Sequence, residues 1–499
     1  MELQFKRSEC PCLDTAVREV RNLELTQEIR LPDGMPDIGH ILCAWGQTVL
    51  RGKEWRSDSI SFSGGMMVWV LYAPEDGTQE QCIEGWIPFQ MNWDLPENCP
   101  EGTIRIRCIP RFVDARSVSA RKIMVRAGTA AQAEAYVPRA AELWEPEEIP
   151  EEAELLRSRW PVRLWKEAGE KTFLLDEELE LPGSAPDIEQ IICFRAELKP
   201  AEKKVLGNKL VFRGNGKLHV LYRSSEGQLC SWDFEMPFSQ FAELEGEYGP
   251  DAQGDLVIGP TSLELDLGEN GRMHFKGGMV AQYLITDKQL LELVEDAYSP
   301  GRELQTRMGT LEAPVVLENR RENLYGEQTL SGAAQRIVDV SFLPDFPRQR
   351  PVEGGVEVEQ PGQFQVLYYG TDGLLQAGSA RWEGKLHVAA DEEAGILLSP
   401  GMDDQPQASA AGEQIILRGE VPLEMTAVAN QRMPMVMGLE LGQVCQKDPA
   451  RPSLILRRAG ESRLWDIAKA TGSTMEAIRR INGLQDEPAP DRMLLVPVP

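Results

Sequence analysis

Side chains that could catalyse a reaction occur in this sequence without the spacing that catalysis requires. No histidine lies in an HExxH motif, and neither a GxxxxGK[ST] phosphate-binding loop nor a G-x-S-x-G nucleophile turn is present. A lone histidine on a strand is more often structural than catalytic. The four histidines are His40, His219, His274 and His387. We therefore predict a non-enzymatic protein with no catalytic residues and no cofactor.

Thiols and carboxylates are the remaining candidates for metal chemistry. The nine cysteines include one CxC pair, Cys10 and Cys12, but no second pair lies at zinc-ligand spacing. Asp33, Asp37 and Asp187 could bind a cation, yet their Pro-Asp context favours a role in turns. We predict no metal site. An odd, scattered set of cysteines is not a disulfide framework and fits a reducing cytoplasm.

Composition excludes several classes of partner. The 499 residues carry a formal net charge of −27, and 42 % of them are hydrophobic, as in ordinary globular proteins. Such an excess of negative charge disfavours binding to nucleic acid, which needs clustered Lys and Arg, and docking on anionic membranes. No signal sequence follows Met1 and no apolar run of about 18 residues occurs, so neither secretion nor a transmembrane segment is expected.

The charge is divided unevenly along the chain. Residues 451–499 hold eight Lys or Arg and six Asp or Glu. The residues before them carry a strongly negative net charge. Within this tail, the apolar pattern predicts a strand at 453–458 and a helix at 464–470. A capping box at 473–476 indicates the start of a second helix, and a closing strand is predicted at 492–496. Gly472 can end the first helix in the left-handed conformation. The pattern predicts a small βααβ domain over 453–499, joined to the body by residues 443–452.

The tail resembles a LysM domain from Leu454 to Pro497. The motifs that match are Gly460-Glu-Ser462, Leu464-Trp-Asp-Ile-Ala468, Met475-Glu-Ala-Ile478, Ile481-Asn482 and Leu494-Leu-Val-Pro497. The resemblance implies a groove between the loop before the first helix and the loop after the second, which would take an N-acetylglucosamine-containing glycan or dock a protein. Arg463 is an extra residue in that groove. The residues it implies are Gly460, Glu461, Ser462, Arg463, Trp465, Asn482, Gly483 and Leu484.

An internal repeat organises the rest of the chain. Leu31-Pro-Asp-Gly-Met-Pro-Asp-Ile38 recurs 150 residues later as Leu181-Pro-Gly-Ser-Ala-Pro-Asp-Ile188. Val70-Leu-Tyr72 recurs as Val220-Leu-Tyr222 and again as Val366-Leu-Tyr368. The third copy has lost the Pro-Asp turn. We therefore expect three related domains in front of the tail.

Each repeat reads as β structure. Residues around each Val-Leu-Tyr motif follow a period of two. The residues between the inward positions are Met67, Trp69 and Leu71 in the first copy, Lys217 and His219 in the second, and Gln363, Gln365 and Leu367 in the third. A Gly-containing turn follows each motif. The predicted fold class is mainly β, with three antiparallel β-sandwich or barrel-like repeats and a small α+β tail. We place repeat one at 1–138, an acidic linker at 139–160, repeat two at 161–312 and repeat three at 313–442. Residues 287–297 give the clearest helical pattern within the repeats.

The combination of these repeats with one C-terminal LysM-like tail resembles the SipL-like family of spore coat assembly proteins, which carry SPOCS domains. The resemblance implies a scaffold in the mother-cell cytoplasm, at the forespore surface, that attaches coat material by binding a SpoIVA-type coat-basement ATPase through the LysM region. The alternative is a protein that binds peptidoglycan or cortex glycan through the LysM groove.

Overall fold

Antiparallel strands form most of the chain, as predicted, and two short helices lie near its C-terminus. The computed structural model describes residues 2–269, 271–389, 395–400, 406–446, 452–489 and 492–498. Each of the two helices has eight residues, whereas crossing a bilayer takes about 20. No helix of the described chain is therefore long and apolar enough to span a membrane.

The first unit is a sandwich of two three-stranded sheets. Its sheets have the strand orders β1-β6-β5 and β2-β3-β4. Apolar side chains from both sheets, among them Val68 and Val70 from one and Val125 and Ala127 from the other, share one core because alternate residues of each strand point inward. The strands are β1 Phe5–Arg30, β2 Ile38–Trp55, β3 Ser59–Pro74, β4 Gln81–Asp94, β5 Thr103–Ser119 and β6 Lys122–Pro146.

The second unit repeats this plan with its middle strands merged. Its sheets are β10-β11-β7 and β8-β9. Gly207 has a φ of 60° within β8, and Gly214 packs so closely against the Lys199 carbonyl that an added Cβ would lie 2.0 Å from the oxygen. The chain therefore folds back on itself at Gly207. The strands are β7 Glu154–Leu179, β8 Ile188–Ser224, β9 Leu229–Tyr248, β10 Gln253–Leu267 and β11 Met273–Tyr298.

The third unit has the same layout with two interrupted strands. One sheet has the order β12-β19-β17, with β18 also paired to β19; the other has the order β13-β15-β14, with β16 paired to β15. Its strands are β12 Arg302–Ser331, β13 Ala334–Pro344, β14 Arg348–Val352, β15 Gly355–Gly370, β16 Leu375–Ala389, β17 Gly395–Pro400, β18 Gln407–Ala411 and β19 Gln414–Val444.

One backbone hydrogen bond occupies the same position in all three units. The amide of Glu75 donates to the carbonyl of Asp37 at 3.0 Å, and Ser225 donates to Asp187 at 2.8 Å. In the third unit, Thr371 donates to Ala333 at 3.2 Å. Because a carbonyl accepts this bond, the turn survives without the Pro-Asp sequence that marks the first two copies.

The long outer strands join the three units through a second, shared core. Its members come from β1, β6, β7, β11, β12 and β19, so the units pack together at one end of these strands. The buried residues of this core are Cys10, Cys12, Ala141, Val162, Leu164, Leu291, Leu293, Leu311, Ala313, Val315, Met433 and Met435.

The structure differs from two predicted elements and one predicted domain boundary. The predicted linker at 139–160 is strand except for 147–153, the stretch that holds four of its seven glutamates. Within the strands, Glu145 pairs with Arg157 at 2.8 Å. The predicted helix at 287–297 is part of β11, which pairs with β7 along its length. The predicted boundary between 312 and 313 falls inside β12.

The tail folds as a strand, two helices and a strand. These elements are β20 Leu454–Arg458, α1 Leu464–Thr471, α2 Met475–Asn482 and β21 Met493–Pro497, with β20 and β21 paired antiparallel. Gly472 ends α1 with a φ of 63°, as predicted. Thr474 caps α2 by accepting the Ala477 amide at 3.1 Å, one residue after the predicted capping serine. Residues 447–451 of the predicted connection lie outside the described residues.

Candidate functional site

The loop before α1 is held mainly by backbone and charge contacts. Gly460 has a φ of 61°, which a glycine adopts without strain. Arg463, in extended conformation, is the N-cap of α1 and gives no side-chain cap hydrogen bond. Instead, Glu487 Oε2 accepts the Leu464 amide at 2.7 Å and places a negative charge at the start of the helix. Glu461 and Ser462 complete the loop, exposed and half-buried respectively.

The loop after α2 is fixed by the side chain of Asn482. Its Nδ2 donates to the carbonyls of Ile478 at 2.8 Å and Leu495 at 2.6 Å, and its Oδ1 accepts the Leu495 amide at 2.8 Å. Gly483 follows with a φ of 62°, and Leu484 packs against the core of the tail. The Asn482 amide thus joins the end of α2 to β21, and both of its N–H groups are used within the tail.

Trp465 is the one predicted groove residue that the structure buries completely. Only 1 % of it is exposed, and its indole N–H donates to Asp296 Oδ2 at 2.8 Å. Its ring meets the edge of Tyr298, with ring centroids 4.8 Å apart and planes at 71°. Both partners belong to β11 of the second unit, so in this structure the indole is not accessible to a glycan.

Asp296 links the tail to the second unit. Besides Trp465, it accepts Lys469 Nζ at 2.8 and 2.7 Å. Partial burial acts to raise the pKa of the Asp296 carboxyl, but the hydrogen bonds from Lys469 and Trp465 outweigh it, and the pKa lies below its ordinary value. The carboxylate is therefore charged at neutral pH and binds the cationic side of α1.

Two further contacts extend this docking. Arg463 Nη1 lies 3.2 Å from Glu295 Oε1, so the predicted extra groove residue binds β11. Hydrogen bonds with Glu295 and Asp466 raise the pKa of Arg463 above its usual value. The Tyr298 hydroxyl donates to the Ser473 carbonyl at 2.8 Å. The tail is thus attached to the body along α1, while the sheet of β20 and β21 remains on the outside.

A second concentration of charge lies between the second and third units. His219 Nδ1 is 2.6 Å from Asp233 Oδ1, and its Nε2 is 2.9 Å from Asp339 Oδ1. Arg195 Nη2 approaches Asp339 at 3.4 Å. Burial alone would lower the pKa of His219, but the charge of Asp339 and the hydrogen bonds to both carboxylates raise it. This cluster lines a cavity of about 740 Å³ formed by all three units.

Comparison with known proteins gives a match to one family model. Residues 187–265 match the family model described as SipL, SPOCS domain. The matched residues lie within the second unit. No significant match was found among curated proteins or among solved structures. The family match supports a SipL-like protein associated with sporulation.

The matched SPOCS segment is the central part of the second unit. It begins at Asp187, whose carbonyl accepts the turn bond from Ser225, and it ends at Leu265 in β10. It includes His219 and Asp233 and therefore one side of the partly buried charge cluster. The outer strands β7 and β11, which carry the shared core and the tail-docking residues, lie outside the match.

Sequence reasoning found the two loops of the tail but missed what α1 binds. The eight predicted residues lie in or beside those loops, with Trp465 and Arg463 turned towards β11 and Asn482 used for structure. The missed residues are Glu295, Asp296 and Tyr298. Their signal, two acids and an aromatic residue within four positions, lies at the end of the 287–297 segment, whose pattern predicts a helix.

Proposed function

We propose that this protein is a non-enzymatic scaffold of spore coat morphogenesis. It would act in the mother-cell cytoplasm and link coat material to the forespore surface by binding a SpoIVA-type coat-basement ATPase. The observation that carries the proposal is the SPOCS match at residues 187–265. Without it, the fold would indicate only a chain of packed β units.

The architecture supports a scaffold. The three units share buried residues of the second core, which favours one body over three independent modules. Ser231 Oγ donates to the Val338 carbonyl at 2.7 Å, and Arg336 Nη2 donates to the Leu229 carbonyl at 2.9 Å, adding polar contacts between the second and third units. A body of this kind can hold a docking module at a fixed distance from other bound components.

The tail is our candidate for the contact with the ATPase. Residues 451–499 have more basic than acidic side chains, in contrast to the strongly negative chain as a whole. Opposite charge of this kind speeds and orients association with an acidic surface. Glycan binding has weaker support, because the indole of Trp465 and the amide of Asn482 are both occupied by contacts within the chain.

Binding of the purified full-length chain to an immobilised SpoIVA-type ATPase tests the proposal. We expect saturable binding, loss of binding on truncation after residue 450, and no sedimentation with chitin or purified cortex. Absence of binding by the full chain would contradict the proposed function. Sedimentation with cortex that is lost on truncation would instead favour the glycan alternative. Transcription restricted to sporulating cells is a second expected result.

A further inference from the structure

The outer face of the β20–β21 sheet is apolar although it faces solvent. Four neighbouring side chains on it are substantially exposed: Leu454 by 45 %, Leu456 by 61 %, Met493 by 50 % and Leu495 by 37 %. They lie on one face because Leu456 is paired with Leu495 and alternate residues of a strand share a face. The opposite face, with Leu494 and Val496, is buried against the helices.

One edge of this sheet is closed and the other is open. On β21, the backbone N–H and C=O of Leu495 are both bonded to the side chain of Asn482. On β20, the bonds from Ala459 to Arg492 and from Val498 to Ser453 show that odd-numbered residues face β21. The peptide groups of Leu454, Leu456 and Arg458 therefore point to the outer edge. Within the described residues, β20 pairs with β21 alone.

From this geometry we infer that the outer face and open edge of β20 form a docking site for an extended, acidic and apolar segment of a partner protein. Such a segment would add a third strand to the tail sheet through main-chain hydrogen bonds. Its apolar side chains would cover Leu454 and Leu456, and its carboxylates would meet Arg458. The inference deepens the proposed function, on which it rests, by assigning the contact to a face away from the predicted groove.

Charge distinguishes this occupant from a second copy of the chain. Arg458 shares the apolar face and has no ion-pair partner among the described residues, whereas Arg463 and Lys469 are engaged by Glu295 and Asp296. The stretch 452–458 carries two arginines and no carboxylate. In a parallel pair of β20 strands the arginines of the two copies would lie side by side, and in an antiparallel pair they would meet no carboxylate. An acidic strand would neutralise them in either direction.

The main test compares the full-length chain with its Leu456→Ser/Leu495→Ser variant for binding to the purified SpoIVA-type ATPase. We expect at least tenfold weaker binding, since two leucines lose buried contact with the partner. Arg458→Glu should weaken binding as well. Leu374→Ser, at an exposed leucine in the third unit, is the matched control and should bind like the parent chain. Thermal unfolding of each variant verifies that the fold is intact.

Hydrogen exchange locates the contact. The amides of Leu454, Leu456 and Arg458 should exchange freely in the chain alone and become protected in the complex. If the double variant binds normally while truncation after residue 450 abolishes binding, the docking face is wrong and the proposed function stands. Protection confined to Gly460–Arg463 and Asn482–Leu484 would also overturn the inference.

A peptide probe keeps the inference testable if the ATPase does not bind, an outcome that would count against the proposed function alone. The probe is a synthetic octapeptide that alternates Glu with Val or Leu, and its scrambled sequence is the control. Protection of the β20 amides by the alternating peptide supports the site, and absence of protection contradicts it. Light scattering measures the oligomeric state of the parent chain and of the double variant. If the parent chain is a dimer and the double variant a monomer, the occupant is a second copy of the chain and the inference is wrong.

Discussion

The indole N–H of Trp465 donates a hydrogen bond of 2.8 Å to the carboxylate of Asp296, and the tail is thereby joined to the second unit. The bond is shielded from solvent, because Trp465 of α1 is buried and packs against the ring of Tyr298. Lys469 supplies a positive charge to the same carboxylate. The Asp296 carboxylate, together with the contacts of Glu295 and Tyr298, therefore sets the position of the docking face relative to the body.

Replacement of Asp296 should loosen the tail without unfolding the body. In Asp296→Ala the buried indole N–H loses its acceptor, which costs about 1–3 kcal/mol for an unsatisfied donor. Asp296→Asn retains an oxygen acceptor and should cost less. Hydrogen exchange of the α1 amides measures the effect, and we expect faster exchange in Asp296→Ala than in Asp296→Asn. Equal exchange in both variants and the parent chain would contradict this role.

Local signals in the sequence were sufficient where the local chain determines the structure. Gly472 and Gly483 mark the ends of the two helices, and both take the left-handed conformation there. The Val-Leu-Tyr strands and their turns also follow from period-two alternation and a glycine, as at Gly77 and Gly373. These features depend on neighbours within a few residues, which the sequence displays directly.

Pairing between distant strands accounts for what the sequence did not reveal. Residues 287–297 contain two adjacent apolar pairs and so fit a helical period, yet the structure exposes Leu290 and buries Leu291 and Leu293 as in a strand. Pairing with β7, more than a hundred residues earlier in the chain, decides between these readings. Asp296 was missed for the same reason, because its importance depends on a tail about 170 residues away.

The Pro-Asp turns should tolerate loss of their acidic side chains. Asp187 contributes its backbone carbonyl to the turn bond, as Ala333 does in the third unit without a carboxylate. Asp187→Ala should therefore change the free energy of unfolding by no more than about 0.5 kcal/mol. Chemical denaturation measures this change. A loss of several kcal/mol would show that the Asp187 carboxylate, and not only the backbone, holds the turn.

The partly buried His219 cluster should make stability fall as the pH rises above about 6.5. Since the folded pKa of His219 is raised, its contribution is fully present below about 6.5, the ordinary value, and is lost as the pH rises through the folded pKa. His219→Gln should remove this slope and cost about 1–3 kcal/mol at pH 6.

Urea unfolding between pH 6 and 9 measures the slope. The matched control is His274→Gln, because His274 also contacts a carboxylate, that of Asp176, but both side chains are 40 % or more exposed. The control variant should retain the slope of the parent chain. A slope that persists in His219→Gln would assign the pH dependence to another group.

Thiol reactivity should separate one cysteine from the buried ones. Burial raises the pKa of Cys43 to about 12, with a smaller contribution from the charge of Asp339, and burial likewise raises the pKa of Cys193. Cys445 is exposed. Because the thiolate is the reactive form, an alkylating reagent should modify Cys445 in the native chain and reach Cys43 and Cys193 only after unfolding. Mass spectrometry of labelled peptides reads the order, and early modification of Cys193 would contradict its burial.

Leu164 tests whether the three units unfold together. Its side chain is buried in the shared core with Leu293 of β11 and Met433 of β19, so Leu164→Ala should cost about 2–5 kcal/mol through lost contacts and the cavity it leaves. Leu174→Ala is the control, because Leu174 lies on the same strand but is exposed, and it should cost no more than about 0.5 kcal/mol.

The regions that unfold together in Leu164→Ala are more informative than the midpoint of the unfolding transition. If the shared core couples the units, Leu164→Ala should lower the unfolding transition of the whole body, monitored by hydrogen exchange in β3, β8 and β15 together. If the units are independent, only the exchange of strands that contact Leu164 should accelerate, and Val366 in the third unit would keep its protection. The second result would mean that the shared core fixes the orientation of the units without joining their stabilities.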